Sequence, residues 1–281
     1  METRVITNET IEQFRAHLLF EEKSAATVEK YIRDVKAFMR FADGAVVTKE
    51  LVIGYKQKLI ADKYAVRSIN SVLASANSLL AFLGWQDCKV KSLKMQREIY
   101  CAEEKELTKA EYTRLVNTAK EKKNERLSLI LQTICGTGIR VSELQFITVD
   151  AVKCGCAEVR CKGKSRSVII VSNLQKKLLK YVQKHHIGSG SIFVTKTGKP
   201  VSRTNIWREM KNLCKDANVN PSKVFPHNLR HLFARTFYGM EKDIAKLADI
   251  LGHSNINTTR IYIVSTGAEH RQRLENMRLV M

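Results

Sequence analysis

The sequence predicts a mainly α-helical protein with one small antiparallel β-sheet, an α+β fold in two domains. Apolar residues recur at helical spacing along most of the chain, whereas residues 156–171 form two short strand patterns around a KGKS turn. The length of 281 residues exceeds what one hydrophobic core usually holds. We therefore expect a helical first domain over residues 1–95, a linker over 96–106 and a second domain over 107–281.

Helical periodicity is clearest in the first domain. The segment TVEKYIRDVKAFMRF, from Thr27 to Phe41, places its apolar residues on one stripe, with Ser24 as a nearby N-cap. A second helix is predicted over residues 48–61. Residues 66–83 form a third with an apolar inner face, and the glycine that follows them is typical of a helix end.

The helical pattern is lost from Asp87 to Glu106, where the chain is polar and charged, and this break predicts the linker. A new helix begins at LTKAEYTRLV, where Thr108 and Glu111 have the spacing of a capping box. Two glycines in GTGIRVSEL interrupt the next helical stretch. Further helices are predicted over residues 126–135, 172–187 and 203–217, and again from His227 onward.

Positive charge is the strongest compositional signal. The chain has 48 Lys and Arg against 28 Asp and Glu, and residues 101–281 hold 32 of these basic residues and 16 of the acidic ones. Such an excess favours a nucleic-acid partner, because neutralised phosphates release their counterions. The alternative is a solvated surface that serves solubility.

The seven cysteines indicate reduced thiols in a cytoplasmic protein, since an odd number spread along the chain does not suit a disulfide framework. Cys154, Cys156 and Cys161 lie close together, but a fourth ligand at suitable spacing is missing. We expect them to be small buried residues in a strand, and we expect no metal and no cofactor. We also expect no membrane segment, because the sequence has no apolar run of helix-spanning length and no signal-peptide pattern.

Four short segments contain residues that could carry out chemistry. They are Arg140 in GTGIRVSEL, Lys162 and Lys164 in the hairpin, His227 and Arg230 in PHNLRHLFA, and His253 and Tyr262 in LGHSNINTTRIYI. Each has an ordinary structural explanation when taken alone: a surface arginine, turn lysines, a helix cap or a core aromatic. In the last case Ile256, Ile261 and Ile263 would be core contacts around a half-buried tyrosine ring.

Taken together, these residue types suit phosphoryl transfer at a phosphodiester. Two guanidinium groups can hold its nonbridging oxygens, and a histidine can add a third donor. A lysine can protonate the leaving oxygen, and a tyrosine hydroxyl can attack phosphorus when nearby cations stabilise its phenolate. The phosphotyrosine ester retains the bond energy, so the reverse attack needs neither ATP nor a metal.

The final segment predicts how the histidine and the tyrosine meet. A helix from Asp243 to Leu251 should end at Gly252, which leaves His253 on a turn. A new helix with Asn257 as its N-cap would then carry Tyr262, which lies nine positions after His253. Both side chains could reach one phosphate.

With these motifs in this order, the chain resembles the tyrosine recombinases of the phage integrase family, and in size its Xer-type members. KSAATVEKYIRDVKAFMRFA resembles the SAM-like core-binding domain of that family. The catalytic domain of that family is resembled by the later motifs, in the family's order: GTGIRVSEL, the KGK hairpin, HNLRH, LGHS and the tyrosine. The spacing of 23 positions from Arg230 to His253 also resembles that of the family. The resemblance implies an N-terminal SAM-like core-binding domain and a C-terminal tyrosine-recombinase catalytic domain.

The resemblance also implies a role for each residue. Arg140 and Arg230 would clamp the phosphate, His227 would assist proton transfer, and Tyr262 would be the nucleophile. His253 would donate a hydrogen bond to the scissile phosphate, and Glu143 would support the site from behind as a carboxylate.

The hairpin lysine is the one role with two candidates. The family pattern resembles G-K-G-x-K-x-R, and CKGKSRS is one residue shorter. We assign the general acid to Lys162, which precedes the glycine, with Lys164 as the alternative, because turn geometry changes when a hairpin loses a residue.

The activity implied by the resemblance is site-specific DNA recombination through a 3′-phosphotyrosine intermediate, in integration, excision or resolution, including that of mobile elements. The implied partners are double-stranded DNA, a homotetramer on synapsed sites, and a second recombinase or an accessory DNA-bending protein. A terminal helix within residues 268–281 would either be exchanged between protomers or fold on its own domain. The protein would be cytoplasmic and nucleoid-associated. The alternatives are a catalytically silent DNA-binding relative and a type IB topoisomerase-like enzyme that relaxes DNA.

Overall fold

Two compact units, Met1–Arg97 and Glu98–Met281, make up the computed structural model of the chain. The structure describes residues 4–95, 106–161, 164–262, 271 and 275–277. Across these residues helices predominate, and a two-stranded antiparallel sheet is the only sheet, which confirms the predicted fold class. None of the helices described is long and apolar enough to cross a membrane.

Over residues 4–95 the first unit has four α-helices and a short 3₁₀ helix: α1 (Asn8–Phe20), α2 (Ala25–Ala42), α3 (Lys49–Ala61), α4 (Val66–Phe82) and the 3₁₀ helix Gln86–Cys88. The predicted stripe of α2 faces the core of this unit, with Val28, Ile32, Val35 and Phe38 buried. Ser24 takes the N-cap position of α2, but its side chain makes no capping hydrogen bond there. The helical prediction for this region is therefore confirmed, and apolar burial rather than capping stabilises α2.

A buried carboxylate joins α2 to α4. Asp34 is 6% exposed and accepts a hydrogen bond from Ser75 Oγ at 3.0 Å. Lys30 Nζ lies 3.0 Å from the same carboxylate oxygen. Because a buried charge is tolerated only when it is paired, this group fixes how the two helices pack.

In the described residues the second unit has eight α-helices, one hairpin and two 3₁₀ helices, of which one lies at the site and the other spans Pro221–Lys223. The α-helices are α5 (Lys109–Glu121), α6 (Glu125–Thr137), α7 (Val149–Cys154), α8 (Ser172–Lys184), α9 (Arg203–Leu213), α10 (Pro226–Glu241), α11 (Ile244–Leu251) and α12 (Ile256–Arg260), and the 3₁₀ helix at the site is Val141–Phe146. The predicted capping box of α5 is confirmed, since Thr108 and Glu111 exchange hydrogen bonds of 3.1 and 2.8 Å.

The hairpin follows α7 directly. Strands β1 (Cys156–Cys161) and β2 (Lys164–Ile169) pair along their whole lengths, which confirms the two predicted strands. Lys164 and Ser165, predicted to lie in the turn, belong to β2 instead. Cys154 is the last residue of α7 and is exposed, so the prediction that it is a buried strand residue is wrong. Its helical position follows from Gly155, whose φ of 75° ends the helix one residue later.

A small apolar cluster lies beside the main core of the second unit. Its buried members are Ala234, Leu247, Leu251 and Tyr262, and Phe233, Phe237 and Tyr238 pack against them. Gly138, with a φ of 65°, lets the chain pass close to α10, because a Cβ there would lie 2.5 Å from the ring of Phe233. The C-terminal ends of α6 and α11 are thereby brought together beside α10.

Candidate active site

Arg230 is the centre of the candidate site. It lies one turn after His227 on α10 and is 1% exposed. Its Nη1 donates to the carbonyl of Gly138, and its Nη2 donates to the carbonyl of Leu251 at 2.6 Å. The same Nη2 lies 3.0 Å from Nε2 of His253. One guanidinium group thus connects α10 with the ends of α6 and α11.

The charge of Arg230 is held by backbone carbonyls. Burial and the charge of Arg140 lower the pKa of Arg230 to about 10, so the group stays protonated at neutral pH. Its Nε is buried and has no hydrogen-bond partner among the residues that the structure describes. A buried donor of this kind is costly unless it has a partner, so it marks a place where an anion would be stabilised.

Arg140 is the N-cap of the 3₁₀ helix and is joined to the hairpin through Glu143. Its Nη1 contacts Glu143 Oε1 at 2.8 Å, and its Nη2 lies 3.4 Å from the carbonyl of Gly252. Arg166, on β2, donates to Glu143 Oε2 at 2.6 Å and to the carbonyl of Ile250 at 2.8 Å. Two arginines therefore share one carboxylate, and the group as a whole stays positive.

Glu143 is the buried carboxylate of this group, with a side chain that is 2% exposed. Burial by itself would raise its pKa, but the hydrogen bonds from the backbone and guanidinium of Arg140 and the charge of Arg166 outweigh burial, and the pKa is lowered. Glu143 is thus ionised at neutral pH and positions both arginines.

Tyr262 combines a buried ring with a hydroxyl at the site. It is 5% exposed, and its hydroxyl oxygen lies 3.1 Å from Nε2 of His227. Ile256 and Ile261 are 43% and 56% exposed, so the interpretation of this segment as core contacts is wrong for both. Ile263, the third residue of that interpretation, lies outside the described residues.

Three imidazole rings surround the tyrosine. His231 stacks on the ring of Tyr262 with centroids 4.2 Å apart, and the rings of His227 and His253 lie 5.2 and 5.3 Å away. Burial and neighbouring positive groups lower the pKa of His231 and of His253 to about 4. Partial desolvation, with the charge of Arg230, also lowers the pKa of His227. All three rings are neutral at pH 7, which leaves lone pairs that can accept protons.

Other predictions at the site are corrected or lie outside the described residues. The N-cap of α12 is Asn255, whose side chain accepts from the backbone of Asn257, so the prediction of Asn257 as N-cap is wrong. The tyrosine accordingly follows α12 and is not part of it. Lys162 and most of residues 268–281 lie outside the described residues, and of Lys164 only the backbone, in β2, is described.

Three residues at the site were not predicted. Arg166 belongs to the final position of the G-K-G-x-K-x-R pattern, and that pattern could have indicated it. His231 follows His227 by one helical turn, a spacing that places both on one face. Thr259, whose hydroxyl lies 2.9 Å from Nδ1 of His253, had no sequence signal.

Two family matches account for most of the chain. Residues 105–269 match the Phage integrase family, and residues 11–87 match the Phage integrase N-terminal SAM-like domain. The chain therefore belongs to the phage integrase family.

Similar proteins agree with this assignment. The tyrosine recombinase XerA of Pyrococcus furiosus is 28% identical over 290 residues, covering 100% of this chain and 98% of the relative. The tyrosine recombinase XerD of Halalkalibacterium halodurans is also 28% identical, covering 91% and 92%. Among solved structures, a lambda integrase dimer bound to a COC′ core site has the same fold, with a TM-score of 0.75, 16% identity and coverage of 93% and 96%. A lambda integrase tetramer bound to a Holliday junction is similar at the same TM-score of 0.75 and 16% identity, covering 93% of this chain and 78% of that one.

Proposed function

We propose that this protein is a site-specific DNA recombinase that cleaves and rejoins duplex DNA through a 3′-phosphotyrosine intermediate, in integration, excision or resolution. One observation carries the proposal: the hydroxyl of Tyr262 lies 3.1 Å from Nε2 of His227, beside the buried guanidinium of Arg230. Membership of the phage integrase family and similarity to tyrosine recombinases support it.

The guanidinium groups bind the scissile phosphate. Arg230 offers its buried Nε–H, and Arg140 extends from a partly exposed position held by Glu143. His253 supplies a further donor at the same phosphate. Because the two guanidinium groups are fixed before DNA arrives, they stabilise the charge that grows on the nonbridging oxygens without reorganisation.

Tyr262 is the nucleophile and His227 its proton acceptor. As the phenolic proton moves to Nε2, the tyrosine oxygen forms a bond to phosphorus and the bond from phosphorus to the 5′ oxygen breaks. Lys162 protonates the departing 5′ oxygen, with Lys164 as the alternative general acid. The 5′ hydroxyl of a partner strand then attacks the phosphotyrosine and releases the enzyme, so ATP and a metal are not required.

The two alternative functions are less favoured. A silent DNA-binding relative would lack part of the site, whereas both arginines, both histidines and the tyrosine are grouped here. A type IB topoisomerase-like enzyme shares the chemistry, but the SAM-like match over residues 11–87 favours a recombinase.

The same proposal extends to assembly and location. We expect a first DNA-binding domain over residues 1–95, a linker over 96–106 and a catalytic domain over 107–281. Four copies would join two DNA sites, by analogy with the lambda integrase tetramer, and a helix within residues 268–281 would be exchanged between them. A chromosomal or plasmid substrate would place the protein in the cytoplasm, at the nucleoid.

A suicide-substrate assay tests the proposed chemistry. Wild-type and Tyr262→Phe proteins are incubated, with EDTA and without ATP, on nicked duplexes that tile the DNA flanking the gene. We expect a detergent-resistant protein–DNA adduct with wild type and none with the variant. Tight binding of a duplex that yields no adduct would support the silent-binder alternative, and an adduct with Tyr262→Phe would exclude this tyrosine as the nucleophile.

A further inference from the structure

Thr259 contacts the site although no part of the proposed reaction uses it. It is completely buried, near the end of α12, and its Oγ1 lies 2.9 Å from Nδ1 of His253. On the other side of the same ring, Nε2 lies 3.0 Å from Nη2 of Arg230. The imidazole is therefore held at both nitrogens.

The position of the ring proton follows from these two contacts. A guanidinium group has only donors, so Nε2 of His253 accepts from Arg230. The ring is neutral at pH 7 because burial and the charge of Arg230 lower its pKa to about 4. Its single proton is therefore on Nδ1 and is donated to the hydroxyl of Thr259.

The proposed function requires the opposite arrangement when DNA is bound. For Nε2 to donate to the scissile phosphate, the proton of the neutral ring has to be on Nε2, and Nδ1 then becomes an acceptor. A hydroxyl can accept a hydrogen bond in the first state and donate one in the second, whereas a methyl group can do neither.

We propose that Thr259 is a positioning residue that holds the His253 ring in one orientation through both states. Its Oγ1 accepts from Nδ1–H before the phosphate binds, and its O–H donates to Nδ1 when Nε2–H faces the phosphate. The second half of this statement rests on the proposed function, and the first half does not.

Nitrogen-15 NMR of the histidine rings in the DNA-free protein tests the first half. We expect His253, assigned by the loss of its signals in His253→Ala, to be protonated at Nδ1 with a slowly exchanging proton. Thr259→Ser should keep that proton signal, and Thr259→Val, which has nearly the same volume, should lose it. A proton on Nε2 in wild type, or an unchanged Nδ1–H signal in Thr259→Val, would overturn the proposal.

Single-turnover adduct formation on the nicked suicide duplexes tests the second half. Thr259→Val should slow the reaction about tenfold, the effect of one ordinary hydrogen bond, while Thr259→Ser stays within about twofold of wild type. In a His253→Ala background, Thr259→Val should have no further effect. An equal slowing with and without His253 would show a merely structural role. If wild type itself forms no adduct, the proposed function fails, and the NMR result still decides the Thr259–His253 contact.

Discussion

At the scale of single residues, the site depends on charges that the fold holds in fixed directions. Arg230 is buried and bonded to two backbone carbonyls, and Glu143 is buried between Arg140 and Arg166. Removing either buried charge also affects the groups bonded to it, because those groups would be left buried without a hydrogen-bond or ionic partner. We therefore expect loss of Arg230 to affect the reaction rate most directly, and loss of Glu143 to affect the stability of the fold.

Replacing Arg230 by lysine should preserve the positive charge and remove the planar set of donors. An ammonium group cannot reach Gly138, Leu251 and a phosphate at once, so we expect adduct formation to fall at least about a hundredfold. Single-turnover kinetics on the suicide duplex measures this change. Arg208→Lys, on the exposed surface of α9, is the matched control and should keep the wild-type rate. An Arg230→Lys variant that reacts at the wild-type rate would remove Arg230 from the proposed mechanism.

Glu143→Gln should destabilise the second unit at neutral pH by about 3 kcal/mol, because two arginines lose a buried ionic partner. Since the pKa of Glu143 is lowered in the folded state, its stabilisation is present above the unfolded value and is lost as the pH falls through the folded value. The difference between variant and wild type should therefore be largest near pH 7 and shrink below about pH 4. Chemical denaturation at several pH values measures it, with the exposed Glu121→Gln as control. A difference that does not change with pH would contradict this account.

At the scale of secondary-structure elements, the local sequence patterns predicted the helices correctly, whereas the contacts between residues far apart in the chain could not be predicted from them. The stripe of α2 and the capping box of α5 follow from residues three or four positions apart, and the structure confirms both. The bond from Arg230 to Gly138 spans 92 positions, and the one from Arg166 to Glu143 spans 23. The family pattern named Arg140, Arg230 and Tyr262 as candidates, but the carbonyls and the threonine around them depend on how helix ends meet.

Gly252 follows helix α11, and its replacement by alanine combines two effects: the cost of the left-handed backbone conformation and the collision with Arg166. Its φ is 64°, and a Cβ there would collide with the side chain of Arg166. Gly198 has a φ of 76° and open space around its Cβ position, so Gly198→Ala measures the left-handed backbone alone, about 1–2 kcal/mol. We expect Gly252→Ala to lower the free energy of unfolding by more than Gly198→Ala, and to slow adduct formation as His253 and Arg166 shift. Equal losses of unfolding free energy in the two variants would show that the side chain of Arg166 moves aside at little cost.

At the scale of the whole molecule, charge is the property that most concerns the DNA partner. The net charge is +20, and most of the excess lies in residues 101–281. If the protein contacts six or more phosphates, its affinity for a duplex should fall about a thousandfold or more between 50 and 200 mM salt. Fluorescence anisotropy with a labelled duplex over this range measures the slope. A nearly salt-independent affinity would indicate that the positive charge serves solubility instead.

The most direct test of the central claim is to locate the covalent bond itself. Wild-type protein trapped on a suicide duplex is digested with nuclease and protease, and the modified peptide is sequenced by mass spectrometry. The account predicts a nucleotide joined through its 3′ phosphate to Tyr262. A nucleotide on any other residue, or a linkage through a 5′ phosphate, would contradict it.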